Sequence, residues 1–346
     1  MTAAARITAP ETSGQQDRTI IMTKKILVPL DGSTISQSIV SWAGELARAM
    51  DGELRLLTVI DPKDFEVFEA VNNSVFEHEN LSVFGGPVET AAKTPTDIID
   101  ALGIQFRIEL EAKAKALGKA GIKAEVKIEY GSPAEVIVAE AKTQNVDMIA
   151  MTTRRGSALA RGILGSVTDR VLHSTSVPVL TLHPNQIGNA MESNGLIRKI
   201  VIPLDGSELS ETAVRPALEI ARASKADVTF LRVVNTPLYA FDSGVLGAGA
   251  LLYDREIEMG TQEEGAMAYL KGLVEEAGLM GIKAHATVRI GNASLQIASE
   301  SITDSGSIVV MATSGASGLK RWVIGSVADK VIRSGNVPVL VIPHAK

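Results

Sequence analysis

The chain repeats itself, and the repeat limits what it can fold into. Residues 25–30 (KILVPL) and Lys199–Leu204 (KIVIPL) are near-identical apolar runs, each followed by Asp-Gly-Ser. Asp31 and Asp205 stand 174 residues apart, whereas Gly121 and Gly281, Gly165 and Gly325, and Pro178 and Pro338 are each separated by 160. The first copy therefore carries 14 additional residues between its second and third apolar runs. Two copies of this length, each able to bury its own core, mean two domains rather than a solenoid.

Each copy alternates strand and helix. After Ser33, the residues Ile39, Val40, Ala43, Leu46, Ala47 and Met50 keep a helical period, as do Ala213, Val214, Ala217, Ile220 and Ala221 after Ser207. Pro216 falls inside the second pattern and is expected to bend that helix or shift its start. Second strands are expected at Glu53–Ile60 and Asp227–Val234, third strands at 124–129 and Ala284–Ile290, and final strands at 177–182 and 337–342. Long helices are expected near 96–120 and 254–279. The irregular stretches before them, 61–95 and 241–252, read as flaps near the strand ends. Ser132 before Pro133 reads as an N-cap and N1 pair, and Asn292 as a cap. The pattern βαβαβαβαβ gives an α/β chain of two tandem doubly wound domains. Each is a five-stranded parallel sheet, expected in the order 3-2-1-4-5, with helices on both faces. The expected limits are a flexible tail over 1–23, a domain over 24–183, a linker over 184–198 and a second domain over 199–346. Met22, just before the first strand, is a possible native start.

Composition narrows the function. The absence of cysteine excludes disulfides, thiolate nucleophiles and cysteine-ligated metals, and fits a reducing cytoplasm. A formal net charge of −6 argues against non-specific nucleic-acid or anionic-membrane binding. No apolar run is long enough to cross a bilayer. The five histidines are dispersed with no pair at metal-ligand spacing, no G-x-x-x-x-G-K-[S/T] is present, and no general base is paired with a nucleophile. An enzyme is not indicated.

The chemistry points to the fourth strands and the segments after them. Each strand leads into a loop rich in Gly and Ser, then Gly165-Ser166-Val167 or Gly325-Ser326-Val327, then a helix. Such a loop delivers free backbone N–H groups and a helix dipole to one place, which makes an anion site. In open α/β sheets the ligand crevice lies where strand order reverses, outside the ends of strands one and four. The Asp-Gly-Ser turns and the glycine loops fall there.

The loop resembles the G-x2-G-x9-G-[S/T] phosphate-binding motif of the universal stress protein family, and the Pro-x-Asp-x-Ser end of strand one resembles its partner segment. Both copies match over almost their whole length, so the chain looks like a tandem universal stress protein. The resemblance implies an ATP site, with or without magnesium. In the second copy it would be formed by Pro203, Asp205, Val233, Ala312, Gly315, Gly325, Ser326 and Val327. A weaker site in the first copy would use Pro29, Asp31, Val59, Gly165, Ser166 and Val167. Ala312 already departs from the first glycine of the motif. In the first copy Thr152 and Arg155 replace the first two glycines, with Gly156 displaced by one. A glycine that admits phosphate or takes positive φ does not become arginine without cost. The resemblance also implies that the final strands pair antiparallel, making an internal pseudo-dimer, with a homodimer of whole chains as a further possibility.

Several residues have a second reading that stays open. Asp31 and Asp205 are either local capping acceptors or ligand-facing groups, and the paired loops favour the second. Ser166 and Ser326 can cap their helices as well as bind. Arg154, Arg155, Arg161, Lys320 and Arg321 are either solvated charge or phosphate partners, and Trp322 reads as a packing anchor. Three functions are compatible with these readings: a non-enzymatic adenine-nucleotide-binding stress protein, a nucleotide-independent interaction module, or a slow ATP hydrolase.

Overall fold

The computed structural model of the chain describes residues 24–63, 95–153, 164–183, 197–234, 248–302, 306–313, 324–335 and 337–343. The first copy runs β1 (Lys25–Pro29), α1 (Thr34–Ala49), β2 (Glu53–Ile60), α2 (Pro95–Lys119), β3 (Lys123–Tyr130), α3 (Pro133–Thr143), β4 (Met148–Thr152), α4 (Ser166–Ser174) and β5 (Val179–Leu182). The second runs β6 (Lys199–Leu204), α5 (Glu208–Glu211), α6 (Val214–Ser224), β7 (Asp227–Val234), α7 (Ala248–Leu279), β8 (Ala284–Ile290), α8 (Ala293–Ile302), β9 (Ser307–Ala312), α9 (Ser326–Ser334) and β10 (Val339–Ile342).

All ten strands join one sheet, in the order β3-β2-β1-β4-β5-β10-β9-β6-β7-β8. Within each copy every pairing is parallel, and β1 and β6 each lie between the second and fourth strands of their copy. The central strands are apolar on both faces because both faces are covered. One side packs α1, α2, α6 and α7 through Trp42, Leu46, Leu110, Ala217, Leu218 and Leu270. The other packs α3, α4, α8 and α9 through Ile137, Val171, Ile297 and Val331.

The copies meet at their final strands. β5 and β10 pair antiparallel with Leu180 opposite Leu340, and the Thr181 hydroxyl donates to Val339 O at 3.1 Å. Each of these strands starts two residues later than the sequence suggests, at Val179 and Val339. Pro178 and Pro338 lack an N–H and contribute only carbonyls, which accept from Ile149 and Val309 at 2.9 Å. Both hydrophobic layers run through this seam without a break: Leu180, Leu182, Leu340 and Ile342 face one side, Val179, Val339 and Val341 the other. Arg333 of α9 also reaches Asp169 of α4 at 3.5 Å.

Three local expectations change. Pro216 does not bend a continuous helix. The helix stops at Glu211 and restarts at Val214, so proline takes the third position, where its missing N–H costs nothing. α7 begins at Ala248, so residues 248–252 of the expected second flap are helical. Ser132 occupies the N-cap position before Pro133 but makes no side-chain capping bond, whereas Asn292 Oδ1 does accept from Leu295 N at 3.3 Å. The rest of the expected flaps, 64–94 and 241–247, and residues 1–23 and 184–196 of the expected tail and linker, lie outside the described residues.

One carboxylate, buried as Glu140 and half-buried as Glu300, recurs in both copies with different partners. Glu140 pairs with Arg55 at 3.1 Å and Lys127 at 2.8 Å, and its counterpart Glu300 pairs with Lys199 and Arg289, each at 2.9 Å. Burial pushes Glu300 up, but the hydrogen bonds from Lys199 and Arg289 outweigh it and hold the carboxyl below its ordinary value. Lys127 is held above its ordinary value by its bonds to Glu129 and Glu140.

Candidate functional site

Strand order reverses between β1 and β4 in the first copy and between β6 and β9 in the second. The chain leaves β1 and β6 through the two Asp-Gly-Ser turns. Asp31 Oδ1 accepts from Ser33 N at 3.0 Å and from Ser33 Oγ at 2.6 Å. Ser33 Oγ in turn accepts from Ser36 N at 3.1 Å, capping α1. The buried Ser36 hydroxyl closes the turn by donating to Ser33 O at 2.9 Å. The second copy reproduces this: Asp205 holds Ser207 at 3.0 and 2.5 Å, and Ser207 caps Ser210 N at 3.1 Å. The serine is therefore the helix cap, and the aspartate orients the serine by an Asx turn. Sequence reasoning named the aspartates and missed Ser36 and Ser210, although serine three residues after a capping serine was visible.

The middle residue of each turn must be glycine. Gly32 and Gly206 have φ of +81° and +75°, and the space beside each is taken. A methyl group on Gly32 would fall 2.6 Å from Phe106 Cε1, and one on Gly206 would fall 2.5 Å from Arg232 Nη1.

The glycine loops start and end on the same sheet edge. Gly165 N donates to Thr153 O at 2.6 Å and Gly325 N to Thr313 O at 2.5 Å, so these two N–H groups close the loop and are not available to a phosphate. That corrects the expectation that Gly325 presents its N–H to a ligand. Glycine, which has no side chain, holds the N-cap position of α4 and α9, and Ser166 and Ser326 are the first helical residues rather than caps. The first intrahelical bonds run from Asp169 N to Gly165 O and from Asp329 N to Gly325 O, both 2.9 Å. The N–H groups of Ser326, Val327 and Ala328 thus have no acceptor within α9, and those of Ser166, Val167 and Thr168 none within α4. In the first copy the Thr168 hydroxyl also ties down Thr152 O at 2.9 Å; its counterpart in the second is Ala328, which cannot.

The expected site residues fall on the ends of the strands and on the sheet face that carries α9 and its counterpart. Pro29 and Pro203 sit near the ends of β1 and β6, opposite Leu57 and Leu231. Val59 and Val167 share one side of the sheet, as do Val233 and Val327. Ala312 ends β9, paired with Ile342. Gly315, Arg154, Arg155, Gly156, Arg161, Lys320, Arg321 and Trp322 lie outside the described residues. Among the described residues no group of three or more histidines, aspartates and glutamates is placed to hold a metal ion, and no helix is long and apolar enough to cross a membrane.

Known proteins agree with this architecture. The model of the universal stress protein family matches residues 22–183 and 196–343. A universal stress protein of Methanocaldococcus jannaschii is 34% identical over 160 residues, covering 46% of this chain and 90% of its own length. One from Mycolicibacterium smegmatis is 24% identical over 322 residues, covering 92% of this chain and 96% of its own. The crystal structure of a universal stress protein from Archaeoglobus fulgidus shares the fold, with a TM-score of 0.63 at 22% identity over 93% of this chain and 98% of that one. Matched in two successive segments along nearly all its length, this chain belongs to the universal stress protein family and carries the family's domain twice.

Proposed function

We propose that the chain binds ATP in the crevice of its second copy and serves as a non-enzymatic, nucleotide-responsive protein of the stress response. The observation that carries this reading is that the Asp205 turn and the start of α9 follow adjacent strands at the strand-reversal point, with the first N–H groups of α9 lacking an acceptor within the helix. A helix start of this kind favours a polyphosphate through hydrogen bonds and dipole together. Val233 and Val327, on one side of the sheet, offer apolar surface beside it. Pro203, Asp205, Val233, Ala312, Ser326 and Val327 are the proposed contacts, with Gly325 closing the loop and Gly315 leaving room for the phosphates. Magnesium is proposed to arrive with the nucleotide.

The first copy takes a second reading, that of a ligand-free interaction module. The Thr168–Thr152 bond cinches the base of its loop, and Arg155 stands where the second copy has Gly315. The two copies, bounded at 24–183 and 199–346, form in this reading an internal pseudo-dimer through β5 and β10.

Calorimetric titration of the folded protein with ATP and magnesium tests both assignments. One site per chain is expected, abolished in Gly315→Arg and unchanged or doubled in Arg155→Gly. No heat at millimolar ATP removes the nucleotide reading. Normal binding in Gly315→Arg with loss in Ser166→Ala reverses the choice of copy. Phosphate release above that of Gly315→Arg would favour the hydrolase instead.

A further inference from the structure

The two Asp-Gly-Ser turns share a backbone and rest on different supports. In the first copy the ring of Phe106, from α2, lies against Gly32. The equivalent position on α7 is Ala266, which leaves that space open. The second copy fills it from the sheet: Arg232 replaces Thr58, and its guanidinium lies against Gly206 with Nη1, Cζ and Nη2 all within contact distance of a methyl placed there. Thr58 donates to Leu30 O at 2.9 Å, tying β2 to the residue before Asp31 by a neutral bond rather than reaching the glycine.

Arg232 does not stand among apolar groups. Glu211, replacing Gln37, accepts from the hydroxyl of Tyr269, replacing Glu109, at 2.7 Å. Burial and the bond to Glu211 push the Tyr269 hydroxyl up, Arg232 pulls it back, and Asp205 adds to the rise. Tyr269 thus feels a guanidinium and two carboxylates near the turn, bonded directly to Glu211 while the Arg232 guanidinium lies against Gly206. Arg232 also leaves β7 on the side of Val228 and Phe230, which pack in the layer of α6 and α7. Val233, Val327 and the start of α9 belong to the opposite side. From that side Arg232 acts on the crevice through the turn it touches.

We propose that Arg232 is a positioning residue of the second crevice: with Glu211 and Tyr269 it holds the Gly206 turn, and hence Asp205, by charge, where Phe106 holds the Gly32 turn by apolar contact. The geometry of the second turn then depends on ionic strength, because salt screens a partly solvated charge cluster. The effect on affinity rests on the ATP reading; the effect on the turn does not.

The test measures amide hydrogen exchange across residues 205–211 and 31–37 in the nucleotide-free chain, at low and high salt, for wild type, Arg232→Met, Arg232→Lys and Phe106→Leu. Arg232→Met is expected to speed exchange at 205–211 by roughly tenfold, the scale of losing charge-assisted contacts. High salt should reproduce part of that loss in wild type. Arg232→Lys should recover part of it, and of the three variants Phe106→Leu alone should change 31–37. In parallel, Arg232→Met should weaken ATP binding several-fold without changing stoichiometry. Unchanged exchange at 205–211 in Arg232→Met overturns the proposal, as does a change spread evenly over the second copy. If wild type binds no ATP, the nucleotide reading falls while the exchange measurement still decides the role of Arg232.

Discussion

In the first copy the turn after strand one leans on an aromatic ring; in the second the same turn, with the same hydrogen bonds to within about 0.1 Å, leans on a guanidinium. The glycine loops likewise close by the same bond, yet only the first is tied a second time through Thr168. Duplication kept the backbone scaffold and let the side chains around it diverge. Hydrogen bonds among main chain, Asp and Ser fix the path of the chain. The groups pressing on that path fix how firmly, and under what conditions, it is held.

Adding one methyl to each turn is the harshest way to break the comparison. Gly32→Ala and Gly206→Ala both force an L side chain into the left-handed region, at about 1–2 kcal/mol. They differ in what the methyl strikes. The Phe106 ring is half-buried and stiff, so Gly32→Ala should add an overpacking cost of about 1–3 kcal/mol. The tip of Arg232 is the end of a flexible chain and can swing aside. Denaturant titration should therefore show the larger stability loss for Gly32→Ala, while calorimetry shows the larger loss of ATP affinity for Gly206→Ala. Equal stability losses would mean that the two supports are equally rigid.

The paired glutamates sharpen the comparison at the next scale. Glu300→Gln removes a carboxylate that accepts from both Lys199 and Arg289, and should cost about 1.5–3 kcal/mol at neutral pH. Its folded-state pKa lies below the ordinary value of 4.5, so the stabilisation is complete above that value and is lost as pH falls through the folded value. Melting curves of wild type and variant should converge as pH falls from 4.5 through the lowered folded value. A constant difference down to pH 2.5 would assign the effect to packing rather than charge. Glu140→Gln tests whether Arg55 and Lys127 give the first copy a comparable anchor.

Most of the fold was legible because the sequence states it twice. The apolar runs, the two offsets and the glycines at turn positions place the strands within a residue or two and put the crevice at the strand-reversal point. What was not legible was which atoms are already occupied. Gly325 reads as a phosphate donor until Thr313 O is seen to take its N–H, and Asp205 reads as a cap until Ser207 is seen to be one. Both bonds are set by the three-dimensional closure of a turn, which residue identity does not encode. The start of α7 was missed because residues 248–252 (AGALL) carry a glycine and no capping residue to mark a boundary. The exchange of Thr58 for Arg232, by contrast, was there to be read by laying one copy over the other.

Tyr269→Phe is the mildest change and isolates the charge cluster from the turn. It removes one hydrogen bond to a charged acceptor at a half-exposed site, so a loss of about 0.5–1.5 kcal/mol is expected at pH 7. The folded-state phenol has its pKa raised above the ordinary 10.0, first by burial and then by Glu211. Its contribution is therefore fully present below pH 10 and fades as pH rises past that value, because the unfolded chain ionises first and gains from doing so. The gap between wild type and Tyr269→Phe should be flat from pH 6 to 9 and narrow above pH 10. No such narrowing is expected for Glu109→Gln, since the first copy has no phenol at that position. If the gap were flat through pH 11, the hydroxyl would be exchanging its bond to Glu211 for water at no cost. The second turn would then rest on Arg232 alone.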